Sequence, residues 1–307
     1  MNDSLVTWDA EGVEAWSRAA PTDGGVLMHS LRGFIDAGRA GALVAQHILD
    51  GCDPVRVATF DMDQLLDYRS RRPDMTFSVN QWTEYDEPHL QVDMVSDREG
   101  APFLLMHGFE PDIRWEAYIA AVRTLVDRLD VSLTLGSHGI PMAAPHTRPL
   151  TATIHGTAQE MLPDAPSFFG TVTVPGSAQN LMEYRFGQWN LPAVNIAVHV
   201  PHYLAQSSYP QAAQRAMAGI EEISGLALTP SDLDEDAVRA SEEIERQMAE
   251  SEEIQALVSA LEEQYDSFVA SREEGLPLDG PLPSADELGA EFEKFLEQQR
   301  RDLPPNG

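Results

Sequence analysis

Three histidines, His29, His107 and His138, stand at or just beyond the ends of apolar runs that read as strands. The carboxyl ends of parallel strands open on a shared crevice, so imidazoles placed there can meet one ligand. His107 lies in LLMHGFEPDIRW (104–115), where Glu110 and Arg114 follow it. An imidazole, a carboxylate and a guanidinium together would bind a polar molecule. The local alternative is that Glu110 caps or pairs nearby while His107 bonds a loop carbonyl. GSHGIPMAAPHTRP (136–149) adds His138, His146 and Arg148. Its backbone nitrogens could cradle an anion, with Arg148 assisting. The two histidines could also ligate a metal, but no HExxH or comparable spacing supports one, and no metal is expected. A rigid turn at a subunit contact accounts for the same residues without chemistry.

Asn180 and Glu183 are three apart on an expected helix and so share a face. Glu183 could form an acid–base pair with His199 or His202, which flank Pro201, if the fold brings them within hydrogen-bond distance. The competing reading is a satisfied polar network. Ser30, Ser137 and Ser177 do not sit in a GxSxG elbow. SLRGFIDAGRAG (30–41) has glycines for tight turns and places Asp36 ahead of a helix. Asp36 suits a helix cap and would oppose a strongly anionic ligand there.

These residues need a scaffold, and the apolar pattern supplies one. Residues 24–30, 54–60, 90–97, 101–108, 131–139, 151–156 and 191–201 read as strands. Segments 42–49, 112–129, 177–186 and 209–225 read as helices. Strands alternating with helices at this spacing predict a mainly parallel sheet covered on both faces. Residues 1–24 are polar around Trp8 and Trp16 and read as an irregular arm. Residues 61–88 are polar and aromatic and read as a surface insertion or small lobe. After Pro230 the composition shifts: residues 231–307 hold 22 acidic and 6 basic side chains. Ile244, Met248, Ile254, Leu257, Leu261, Tyr265 and Phe268 form an apolar stripe along an amphipathic helix, with Glu242 and Arg246 as a supporting pair. A linker over 273–284 and a short helix over 286–296 would complete a docked helical hairpin. The expected organisation is thus a domain over 1–230 and an acidic helical extension over 231–307.

Composition excludes several classes of function. The net charge of -30 disfavours nucleic acid and anionic membrane surfaces as partners. The only lysine is Lys294, so the expected core has none for a Schiff base or a phosphate loop. One cysteine, Cys52, rules out an internal disulfide or a multi-cysteine metal site, and its place after a helix end suits a half-buried structural thiol. The segment MNDSLVTWDAEG has neither a basic nor an apolar leader region, and no run of about 18 apolar residues occurs. The expected location is the cytoplasm.

In combination, HSLRGFIDAGRAG (29–41), FDMDQLLDYRSRRP (60–73), LLMHGFEPDIRW (104–115), GSHGIPMAAPHTRP (136–149) and VHVPHYL (198–204) resemble the PAC2 family, named for proteasome assembly chaperone 2, and in particular its actinobacterial branch. The resemblance covers roughly residues 20–225. It implies an α/β, three-layer αβα core similar to the phosphorylase and hydrolase-like folds. It also implies a role in assembly or protein interaction, since eukaryotic relatives assist proteasome assembly. A homo-oligomer follows as an expectation, with a trimer fitting the related folds, together with a protein partner and no cofactor. No catalytic residue is transferred by the resemblance. The alternative is an enzyme or sensor for a small polar, nucleoside-like metabolite, whose ligand-binding candidates are His107, Glu110, Arg114, His138, His146, Arg148, Glu183 and His199.

Overall fold

A computed structural model describes residues 5–163 and 171–273. The N-terminal stretch is ordered rather than an irregular arm: β1 (Val6–Trp8) leads into α1 (Ala10–Ala19). The Asp9 carboxylate accepts from the Gly12 N–H at 2.8 Å and starts the helix. Trp16 is buried and its indole donates to the Leu129 carbonyl at 2.8 Å. Trp16 thus marks the buried face of α1, which burial of its large ring stabilises, while Trp8 ends β1.

The chain continues through β2 (Gly25–Arg32), α2 (Ala40–Asp50), β3 (Val55–Phe60), β4 (Met75–Ser78), β5 (Gln81–Tyr85), β6 (Leu90–Ser96), β7 (Pro102–Phe109) and α3 (Trp115–Arg128). Then follow β8 (Val131–Met142), β9 (Ala152–Gly156), α4 (Ala178–Trp189), β10 (Ala193–Pro201), α5 (Pro210–Ser224), α6 (Asp234–Ala249) and α7 (Glu252–Glu273). Cys52 is half-buried and lies against the end of α2, where its thiol reaches the Ile48 carbonyl at 3.2 Å.

Eight strands form one sheet in the order β1-β3-β6-β7-β2-β8-β10-β9. The expected mainly parallel, phosphorylase/hydrolase-like core is corrected here, because the sheet is mixed. Parallel pairing is confined to β7–β2, β2–β8 and β8–β10. The β1–β3, β3–β6, β6–β7 and β10–β9 pairs are antiparallel. For β6 and β7 the cause is connection length. Parallel neighbours need a crossover of a dozen or more residues, whereas β6 and β7 are joined only by residues 97–101. That turn is tied by the Asp97 carboxylate, which accepts from the N–H groups of Glu99 and Ala101.

Two apolar clusters lie on the two faces of the sheet. One joins Trp16 of α1, Tyr118 and Val122 of α3, and Met182 and Phe186 of α4 to Leu27, Leu104 and Met106. The other joins Val44 and Ile48 of α2 and Met217 and Ile220 of α5 to Met28, Leu105, Ile196 and Val198. Asp36 reaches α2 as expected: its carboxylate accepts from Gly41 and Ala42 at 2.9 and 3.0 Å, and also from Gly139 of β8 at 3.1 Å.

The extension is two helices, with a break at Glu250–Ser251, rather than one. Arg246 pairs with Glu243 and Glu250, not with Glu242. Val258 and Leu261 of α7 are buried. The short helix expected over 286–296, and nearly all of the linker before it, lie outside the described residues.

Candidate functional site

The His107, Glu110 and Arg114 side chains find three separate environments. His107 lies on β7 and Glu110 just beyond its end, and the two side chains diverge. His107 turns to β6, where Nε2 lies 2.8 Å from Asp93. Asp93 also accepts from Arg56 at 2.5 Å and from Gln91 at 3.0 Å. Burial works to raise the Asp93 carboxyl, but the bonds from His107 and Arg56 prevail and hold it below its ordinary range. Glu110, also buried, accepts from the backbone N–H groups of Phe34 at 2.9 Å and Gln179 at 3.2 Å. It thereby ties the loop after β2 to the start of α4. Arg114 opens α3 in a left-handed conformation and reaches Gln64.

His146 and Arg148 serve the junction with the helical extension. The His146 backbone and Nδ1 meet the Tyr203 hydroxyl at 2.9 and 2.7 Å. Arg148 makes a two-pronged contact with Asp266 at 2.8 and 2.7 Å and reaches Glu262 at 3.1 Å. Tyr265 donates to the Pro149 carbonyl.

The largest gathering of chemically capable groups lies between α4 and the sheet. Ser177 caps α4 by accepting from the Asn180 N–H at 3.1 Å. Gln179 and Glu183, four apart, then both meet sheet residues. Gln179 contacts His29 Nδ1 at 3.3 Å. The Glu183 carboxylate accepts from His155 Nδ1 of β9 at 3.0 Å and from the Asn195 carboxamide of β10. His29 and Asn195 converge over Gly136: a Cβ there would sit 1.9 Å from Asn195 Oδ1 and 2.3 Å from His29 Cε1. Next to this group, His199 lies 2.9 Å from each of the Thr151 and Thr153 hydroxyls.

Burial controls the charges in this layer. It pushes the His29, His138 and His199 imidazoles down to about 4, so they are neutral near pH 7. For His138 the neighbouring His155 and His29 act in the same direction. Burial works to raise Glu183, but the His155 and Asn195 bonds outweigh it and keep the carboxyl ionised. An ionised carboxylate only accepts, so Nδ1 of His155 is the donor to it, and in the neutral ring Nε2 carries the lone pair. The His155 side chain is 39% exposed. Glu183 and His155 thus form a carboxylate-oriented imidazole on a partly exposed side chain, an arrangement suited to proton transfer.

A second feature is the β4–β5 hairpin, which forms its own two-stranded sheet apart from the large one. Every residue of both strands is exposed. Phe77 and Trp82 pack edge to face with centroids 5.1 Å apart, yet remain 56% and 63% exposed. Met75, Val79 and Tyr85 are exposed beside them. At the hairpin's stem, Arg69 and Arg72 are exposed, and Arg71 pairs with Asp112 at 2.7 Å.

Comparison with known proteins identifies this architecture. The PAC2 family model matches residues 30–248. The chain belongs to the PAC2 family. A Mycobacterium tuberculosis protein of unknown function is similar at 41% identity, covering 88% of this chain and 94% of its own, with a TM-score of 0.82. A Corynebacterium glutamicum protein of unknown function follows at 35% identity, 87% and 98% coverage, and a TM-score of 0.79. A M. tuberculosis proteasome-assembly chaperone homologue shares the fold at 21% identity, 76% and 99% coverage, and a TM-score of 0.69. No curated protein matches. These PAC2-family structures replace the phosphorylase/hydrolase-like core as the description of the fold.

In this PAC2-family chain, the residues chosen from sequence divide clearly. His138 and Glu183 lie in the layer under α4, with His199 adjoining it. His155, Asn195 and Gln179 were missed. The expected partner for Glu183 was His199 or His202, whereas the structure supplies His155. No local signal marked it, because β9 reaches Glu183 only by pairing with β10, where His155 stands opposite Asn195. Glu183, within two helical turns of the end of α4, was the available clue. Among the described residues, no group of three or more His, Cys, Asp or Glu side chains is arranged to hold a metal. Among the same residues, no helix is long and apolar enough to cross a membrane.

Proposed function

We propose that this PAC2-family protein works by protein contact, as a homo-oligomeric assembly or interaction factor of the cytoplasm, with a trimer as the closed form. The exposed β4–β5 hairpin carries this reading. It presents Met75, Phe77, Val79, Trp82 and Tyr85 together, and apolar groups clustered in this way on a projecting element suit a protein interface. The fold shared with a proteasome-assembly chaperone homologue supports the same class of role. The single free cysteine fits a reducing compartment. Native mass spectrometry of gently purified full-length protein tests the proposal, alongside the paired substitution Phe77→Ser and Trp82→Ser. The expected result is an oligomer or protein complex that the substitutions dissociate. A wild-type monomer that retains no protein partner would overturn it.

The Glu183–His155 pair favours a second reading, an enzyme or sensor for a small polar metabolite. Its partly exposed imidazole could receive a ligand proton. Thermal-shift screening of nucleosides and related metabolites against wild type and Glu183→Gln tests this. A compound that stabilises wild type but not the variant supports it, and equal responses reject it.

A further inference from the structure

The extension meets the domain through one face of α7. Glu262, Tyr265 and Asp266, three and four residues apart, share that face. All three reach residues 147–149: Thr147 donates to Glu262, Arg148 pairs with Glu262 and Asp266, and Tyr265 donates to the Pro149 carbonyl. Val258 and Leu261 of the same helix are buried, so α7 grips from a fixed position. One residue earlier, His146 is held by the Tyr203 hydroxyl in the turn after β10.

The gripped residues join β8 to β9. β10 stands between these two strands in the sheet, so residues 143–151 must cross the end of β10. β9 is an edge strand: β10 is its only neighbour in the sheet, and none of its residues is fully buried. Its far end is fastened by Thr157, whose hydroxyl donates to the Leu191 carbonyl and accepts from the Ala193 N–H. At its near end, the Thr151 and Thr153 hydroxyls lie against the two ring nitrogens of His199, which is buried. Only Leu150 and Thr151 separate the gripped Pro149 from the start of β9. A strand paired on one side alone opens more readily than a central one, and it opens from its ends.

We infer that the acidic extension is a clamp on this edge of the sheet: α7 grips the connection through Arg148 and thereby keeps the near end of β9 closed against His199. Release frees Thr151 and Thr153 and admits solvent to the imidazole, while Thr157 keeps the far end of β9 in place. Arg148 acts as a positioning residue. Its ion pairs are partly exposed, with Arg148 at 30%, Glu262 at 29% and Asp266 at 55%, so salt screens them and the clamp is reversible. The clamp requires neither an oligomer nor a metabolite.

Hydrogen exchange on the full chain, read by mass spectrometry, tests this. Arg148→Ala is expected to speed exchange over 151–154 by about fivefold and to leave Thr157 and β3 unchanged. Glu262→Gln with Asp266→Asn should do the same from the other side. All three substitutions together should add nothing further, because they remove one contact. Arg148→Lys keeps the charge and should retain part of the protection. NMR supplies a second readout. The enclosed His199 imidazole, acted on by Arg215, titrates at about 4 because of burial, and should move upward in the released variants. A retained cooperative melt shows that each variant folds. Unchanged exchange over 151–154 in Arg148→Ala, or equal acceleration in β3, overturns the clamp and leaves both readings above intact.

Discussion

The layer under α4 and the β4–β5 hairpin are opposite ways of using polar and apolar residues. Under α4 and beside it, polar side chains are enclosed and nearly all engaged: Glu183 with His155 and Asn195, His29 with Gln179, and the adjoining His199 with two threonines. On the hairpin, aromatic and aliphatic side chains stand in solvent with little but each other to cover them. Enclosed polar groups specify a fold because losing one partner leaves another unsatisfied. Exposed apolar groups contribute little to the fold and keep their hydrophobic driving force for a partner. The first region therefore reports on stability, the second on the association proposed above.

Acid should separate the two regions most strongly. His29, His138 and His199 titrate at about 4 in the folded chain, against an ordinary imidazole value of 6.5. As pH falls, the unfolded chain takes up protons first, so the stability present above about 6.5 is lost between there and about 4. Glu183 and Asp93, held low in the fold, lose their contribution at still lower pH, while Asp36, raised by burial, acts in the opposite sense. Melting temperature against pH should fall steeply across this window, and His138→Gln should remove about one proton from the slope. A flat profile would mean that the layer is not enclosed in solution.

At fixed pH, Glu183→Ala should cost about 3 kcal/mol in a denaturant titration, by stranding His155 and Asn195. Gly136→Ala should cost about 2 kcal/mol by forcing a methyl group into the space of Asn195 and His29. Ser177→Ala, which removes the cap that starts α4, should cost about 1 kcal/mol. The smallest stability change is expected from Phe77→Ser with Trp82→Ser, below about 0.5 kcal/mol, although this variant should lose association. If it instead unfolds the chain, the hairpin belongs to the fold and the contrast between the regions fails.

Much of the scaffold was legible in the chain. Apolar runs such as APFLLMHG and LPAVNIAVHVP became β7 and β10 because a strand buried on both faces needs an unbroken apolar sequence. The cap role of Asp36 and the half-buried Cys52 were also readable, since each depends on neighbours close in sequence, whereas Met62, Leu65 and Leu66, read as part of a surface lobe, are buried in the core. Strand direction could not be taken from apolar content, which is the same for a parallel and an antiparallel neighbour. The meeting of His155 with Glu183 was likewise undetermined. It needs β9 to pair with β10 in one register while α4 lies across both, and only the assembled sheet brings residues 28 positions apart to 3.0 Å. Sequence by itself determined which segments would be buried and which local caps would form, because those depend on side-chain type and short spacing. Tertiary structure decided which buried polar groups face one another, because that depends on strand order and register.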